Sequence, residues 1–266
     1  MLTRLIKYEL KATGRVLLPL YAVLLVFAAI SKLIFAFSDN SYSVPAVIST
    51  MIYIMILIGM FVMTFVVMIQ RFYKNLLSDE GYLMFTLPTM TWKHITSKLL
   101  VSTIWNIGSS LAAILSIVIL AFDEIFFTGL LPKFFRLLGE FFNSFGLNSG
   151  LIILEFILAG IICMASGMLI IYASIALGHL FNQHRVLASL GAFLALSTVS
   201  QILFFCVTSL PGLDSLSEYV DSLDNLQASA FMFHWVMWFI IIFFGLLSAG
   251  YFFITNYILN KRLNLE

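Results

Sequence analysis

Residues 71–98, RFYKNLLSDEGYLMFTLPTMTWKHITSK, form the longest basic segment between hydrophobic runs in this chain. The segment holds an acid–Gly–aromatic turn at Asp79, Glu80, Gly81 and Tyr82 and a proline at Pro88, and two runs that read as membrane spans flank it. It is therefore a connector, on the side of the membrane where Lys and Arg collect. Arg71 to Leu77 continues the preceding span out of the membrane. Ser78 or Asp79 can then cap a short helix by accepting from free N–H groups at its start. Gly81 supplies backbone freedom, while Tyr82, Leu83, Phe85 and Leu87 offer an apolar surface too large for a solvated loop. Pro88 ends the unit, Thr91 can cap the next helix, and Trp92 can anchor that helix at the interface. A short rigid helix between two spans can transmit a push from a soluble partner, which a flexible loop would absorb.

The composition excludes a soluble domain. The chain is 62% hydrophobic and 10% charged, with mean hydropathy +1.06, against about half apolar and a quarter charged in soluble domains. A formal net charge of +1 and the lack of a basic domain give no reason to expect nucleic-acid binding. Cys163 and Cys206 fall inside apolar runs and read as small buried hydrophobes. The apolar run from Val16 is too long for a signal-peptide core.

Residues 1–15 read as an interfacial helix on the anionic inner leaflet. Arg4, Lys7, Lys11 and Arg15 recur at helical spacing on one stripe, with Leu2, Leu5, Ile6 and Leu10 opposite. Glu9 projects among the apolar residues. Either it snorkels to water, or it pairs with Arg71, Lys74 or a partner subunit. Six runs reach the ~20 residues needed to cross ~30 Å of hydrocarbon: Val16 to Phe37, Val44 to Ile69, Leu99 to Phe122, Leu151 to Leu177, Val186 to Leu210 and Phe231 to Leu259. Eleven Lys and Arg residues fall on the side of the termini and three (Lys32, Lys133, Arg136) on the other, so both termini are expected in the cytoplasm. The expected fold is thus an all-α membrane protein. It is one transmembrane domain over 1–266, with a cytoplasmic coupling segment at 71–98 and extracellular segments at 123–150 and 211–230.

In the first outer segment Phe134, Phe135, Leu138, Phe141, Phe142 and Phe145 recur at helical spacing, with Lys133, Glu140 and Ser144 opposite, as in an amphipathic helix lying in the outer leaflet. In the second, after Pro211-Gly212, Leu213, Leu216, Val220 and Leu223 form an apolar stripe against Asp214, Glu218, Asp221 and Asp224. Those acids gather outside because bases are held inside, attract a cationic substrate, or, least in keeping with their scatter, bind a metal.

Within the spans, Lys32 and Glu155 either snorkel, pair with each other, or make a polar contact in a transport path. Gly160, Ala165, Ser166, Gly167, Ser174 and Gly178 allow close helix approach in the fourth span. His94, His179, His184 and His234 have no metal-ligand spacing. His179 to Arg185 reads as a polar hairpin that could also touch a soluble partner.

The run LLSDEGYLMFTLP, followed by the Lys-bearing helix start at Lys93 to Lys98, resembles the connector between spans two and three of type-2 ABC exporter permeases. The start MLTRLIKYELKATGRVLLPLY is similar to that of Gram-positive-type permeases. With six spans and an outer helix between the last two, the likeness covers essentially the whole chain. The family's commoner pattern has Gly-Thr and then Glu after the acidic pair, where this chain has Gly81-Tyr82-Leu83. The resemblance implies a bacterial cell-membrane permease subunit, not itself an enzyme, that exports a hydrophobic, amphiphilic or cationic peptide-like substrate.

It also implies a cytoplasmic ATP-binding subunit that carries ATP and Mg, and a second permease subunit, identical or different. Arg71, Lys74, Asp79, Glu80, Gly81, Tyr82, Leu83, Phe85 and Pro88 would form the coupling contact. The chain has no G-x-x-x-x-G-K-[ST] loop of its own and no catalytic, metal or cofactor residues are expected in it. Two other classes remain open: an ion- or proton-coupled secondary transporter, which would need deep charged residues, and a non-transporting sensor or assembly subunit.

Overall fold

The structure, a computed structural model, describes residues 2–37, 43–77, 90–122, 126–145, 148–181, 184–209 and 225–261; within them the side chains of 144 and 225–230 are left aside. Seven α-helices and no strands occur among the described residues: α1 (Leu2–Ala36), α2 (Val44–Leu76), α3 (Thr91–Leu120), α4 (Leu131–Phe145), α5 (Asn148–Gly178), α6 (Arg185–Thr208) and α7 (Asn225–Lys261). All but α4 are long and apolar enough to cross a membrane. An apolar run of this length must become helical in hydrocarbon, because only a helix satisfies every backbone N–H and C=O within the segment. Val, Ile and Phe are middling helix formers in water, and that handicap counts for little against unmet backbone groups.

The helix bounds correct two expectations. The interfacial segment is not a separate element: α1 runs without interruption through Arg15 and Pro19 to Ala36. At 1.5 Å per residue its 35 residues reach about 52 Å, well beyond ~30 Å of hydrocarbon. The helix of the third span begins at Thr91, ahead of its apolar run from Leu99, and Met90, in extended conformation (φ −69°, ψ 142°), takes the cap position expected for Thr91. The continuation of α2 past Arg71 to Leu76 agrees with the sequence reading.

The described chain divides into two compact units. The first holds residues 1–74 and 87–133. Here α1 packs on α3 through a stripe of buried residues at three- and four-residue spacing: Gly14, Leu17, Tyr21, Leu24, Ala28 and Ser31. That spacing keeps one face of a helix against its neighbour along several turns. At Gly14 a Cβ would come within 3.3 Å of the Trp105 ring, so the glycine lets that indole lie close to α1.

The second unit holds residues 75–86 and 134–266, with α5 packed against both α6 and α7. At the C-terminal end of α5, a Cβ on Gly178 would overlap Ser189 of α6, including its backbone N at 2.6 Å. Only glycine permits so close a backbone approach. Chain reversal follows, with His184 in the left-handed region (φ 58°) just ahead of α6, the strained backbone a tight connection needs. Phe204 of α6 meets Phe239 and Phe243 of α7 at 5.9 and 5.5 Å between ring centroids. Between the third and fourth spans, a single π-helical turn (Phe126–Leu130) leads into α4. Phe134, Phe135 and Phe142 of α4 are exposed, and Arg136 and Glu140 pair at 3.3 Å along its polar side.

Candidate functional site

Glu9 lies one and two turns ahead of Thr13 and Leu17 and so falls on the buried stripe of α1. It is only 8% exposed, which rules out snorkelling. Its Oε1 accepts from Lys98 Nζ of α3 at 2.7 Å, and its Oε2 lies 3.6 Å from the Arg71 guanidinium of α2. Lys98 Nζ also donates to the Arg71 backbone carbonyl at 3.2 Å. One carboxylate thus ties together three helices. Arg71 was a foreseen partner. Lys98 was not, since 89 residues separate it from Glu9 and no local periodicity links them. Its position at the edge of the third span, on the same basic side, was the available signal.

Burial makes this cluster consequential. Taking two charges from water costs several kcal/mol each, so the arrangement persists only if lone pairs and ammonium protons find further partners. The second bond of Lys98 and the approach of Arg71 supply them. His94, 1% exposed, lies one turn before Lys98 on α3, and Phe72, fully buried, follows Arg71 on α2. Arg4, Lys7, Lys11 and Arg15 are all exposed on the opposite side of α1, with Leu2, Leu5, Ile6 and Leu10 half-buried, as the sequence pattern predicts. Lys74 is exposed on α2.

Beyond the cluster, polar contacts continue along the same three helices. Trp105 Nε1 donates to Thr13 Oγ1 at 2.7 Å. The Tyr21 and Ser109 hydroxyls are 2.8 Å apart, and Ser109 donates to Thr64 at 3.1 Å. Tyr53 and Ser116 hydroxyls lie 2.8 Å apart, Ser49 donates to Ser31 at 2.7 Å, and Lys32 Nζ donates to the Leu120 carbonyl at 3.3 Å. Lys32 thereby places a cation at the C-terminal end of α3, where the last carbonyls lack helical partners.

In the second unit, Glu155 of α5 is 7% exposed and its Oε2 lies 2.7 Å from His234 Nδ1 of α7. The sequence offered Lys32 as its partner and missed this imidazole. Of the two cysteines, Cys206 is exposed and Cys163 half-buried, against the expectation of burial: a residue in an apolar span can face lipid as readily as protein. Among the described residues no group of His, Cys, Asp and Glu could hold a metal ion.

The remaining residues singled out in the sequence, Asp79, Glu80, Gly81, Tyr82, Leu83, Phe85 and Pro88 of the connector and Asp214, Glu218, Asp221 and Asp224 of the last outer segment, lie outside the described residues. Comparison with protein-family models, with curated proteins and with solved structures finds no match to this chain.

Proposed function

We propose that this chain is the membrane subunit of an ATP-driven exporter, with the connector after α2 as the surface on which a separate ATP-binding subunit acts. The observation that carries this reading is the Glu9 cluster. Arg71, near the end of α2, and Lys98, near the start of α3, flank the connector on both sides, and both bind the same carboxylate of α1. A displacement imposed on residues 78–89 would be handed to three helices together. The motif LLSDEGYLMFTLP would supply the acids, the glycine and the apolar surface for a soluble partner to grip, and the basic bias of its flanks supports a cytoplasmic position for it.

A second membrane subunit completes the proposal. Support for it comes from α6, which has no buried residue and carries the exposed carboxamide of Gln201 within an apolar span. Lipid cannot hydrogen-bond an amide, whereas a neighbouring helix can. The exposed phenylalanines of α4 fit a helix resting in the outer leaflet, and the cargo would be hydrophobic, amphiphilic or a cationic peptide. In liposomes containing the cognate ATPase, Glu80→Ala or Gly81→Pro is expected to leave ATP hydrolysis running while transport falls. Wild-type coupling in both variants would discard the role.

A further inference from the structure

Independently of any exporter role, we infer that the exposed face of α1 binds one anionic phospholipid, its headgroup on Lys11 and Arg15 and an acyl chain along Leu18, Ala22, Val26 and Ala29. All six residues are exposed, and their three- and four-residue steps put them on one face of a helix that runs without a break from Leu2 to Ala36. The buried stripe from Glu9 to Ser31 that packs on α3 takes another side. The exposed face therefore passes directly from cationic to apolar between Arg15 and Leu18. A phospholipid has the same order from phosphate to tail.

Depth decides which of the four basic residues meet the headgroup. Arg15 stands one turn before Leu18, at the edge of the apolar run, where a guanidinium must find a phosphate or water. Lys11 lies about 6 Å farther out along the axis, Lys7 about 12 Å and Arg4 about 16 Å. The polar layer of each leaflet is only about 5–8 Å deep. A lean of about 20° shortens these heights by about 1 Å or less. Lys11 and Arg15 thus share the phosphate level, one turn apart on the same face, while Lys7 and Arg4 stand in water beyond it.

Charge and shape select the occupant. Glu9 is the single acid of α1, and it is buried on the opposite side with its carboxylate held by Lys98 and Arg71. The exposed face therefore offers cations alone, and a parallel second copy of it would set like charges together. An anionic headgroup neutralises them, whereas a zwitterionic one brings its own ammonium. Below the cations, Ala22 lies between Leu18 and Val26, and Ala29 between Val26 and Leu33, so the small side chains leave shallow steps for an acyl chain. Each basic residue near an anionic lipid surface is worth roughly fivefold in binding.

The test is native mass spectrometry of the full chain released from detergent micelles containing equal amounts of dioleoyl phosphatidylglycerol and dioleoyl phosphatidylcholine. Wild type is expected to retain phosphatidylglycerol in preference. Lys11→Gln combined with Arg15→Gln should lower that preference roughly twenty-five-fold, about fivefold for each cation, and Arg4→Gln combined with Lys7→Gln should lower it far less. All four side chains are exposed, so the variants are expected to fold as wild type does. Equal retention of the two lipids by wild type would overturn the site. So would an equal or greater loss in the Arg4 and Lys7 pair, which would mean a diffuse field in place of a site. Glycerol 3-phosphate, which has the charge without the chains, is added in a further arm at the lipid concentration. Persistence of the retained lipid is expected, and its displacement would assign the face to a free phosphate. A change in the number of chains per particle in the Lys11 and Arg15 pair would assign it to a protein neighbour, and would equally overturn the proposal.

Discussion

The two units of this chain hold their helices together by different means. In α1, α2 and α3, tyrosine, serine, threonine and tryptophan side chains bond from helix to helix at successive levels, ending in the ion cluster around Glu9. In α5, α6 and α7, contact rests on a glycine-permitted backbone approach at Gly178, aromatic packing around Phe204, and the Glu155–His234 pair. Directional bonds fix register but break abruptly, whereas shape-matched apolar surfaces tolerate sliding. Within lipid this matters, because apolar side chains gain nothing by leaving hydrocarbon for protein and helix association depends on packing and polar contacts. The first unit is built for a single arrangement of its helices, and the second owes its register to a few local contacts.

The largest expected effect comes from cutting the ion cluster. Lys98→Met takes the nearest cation, 2.7 Å away, from the buried Glu9 carboxylate, and a loss of about 3–5 kcal/mol is expected in denaturant unfolding. Adding Glu9→Gln removes the stranded charge and should recover much of that loss. If the double variant were as unstable as Lys98→Met, the stranded-charge account of the first unit would fail.

Next in size is Gly178→Ala. The new methyl group has nowhere to go except against Ser189 backbone atoms, so about 1–3 kcal/mol is expected from overpacking. Gly160→Ala on the same helix meets nothing within 4 Å and should be neutral or stabilising by a few tenths of a kcal/mol, up to about 1. Equal melting temperatures for the two variants would contradict the close approach of α5 and α6.

The smallest effect is a response to pH. Burial, and secondarily the Arg185 charge, hold His179 below the ordinary imidazole value. It follows α5 directly and lies outside the spans. As pH falls through about 6.5 the unfolded chain takes up this proton first, so the folded state loses stability toward acid. Replacing His179 with Gln should flatten the acid side of the melting profile; an unaltered acid limb would show that His179 does not contribute.

The spans were legible because twenty consecutive apolar residues admit one structure in lipid, and their periodicity was not needed to find them. The join at Arg15 was not legible, since a basic stripe has helical spacing whether the helix stops at the interface or continues into the span. Glu9 was recognisable as anomalous from its place among Leu5, Ile6 and Leu10, yet nothing local distinguished Lys98 from the other basic residues on that side as its partner. Glu155 was found the same way and mispaired for the same reason, because depth in the membrane says nothing about which helices are neighbours. Cys206 shows the limit of hydropathy itself, which reports the solvent a segment prefers and not the face a residue takes.

The uninterrupted rod of α1 has a final consequence. Its apolar stretch and its charged first turns are one continuous helix, so a thicker or thinner bilayer would change its lean or strain the lipid around it. Because Glu9 rides on that rod, lipid chain length would be felt where α2 and α3 are fastened, and the composition of the host membrane becomes a setting of the protein as well as its surroundings.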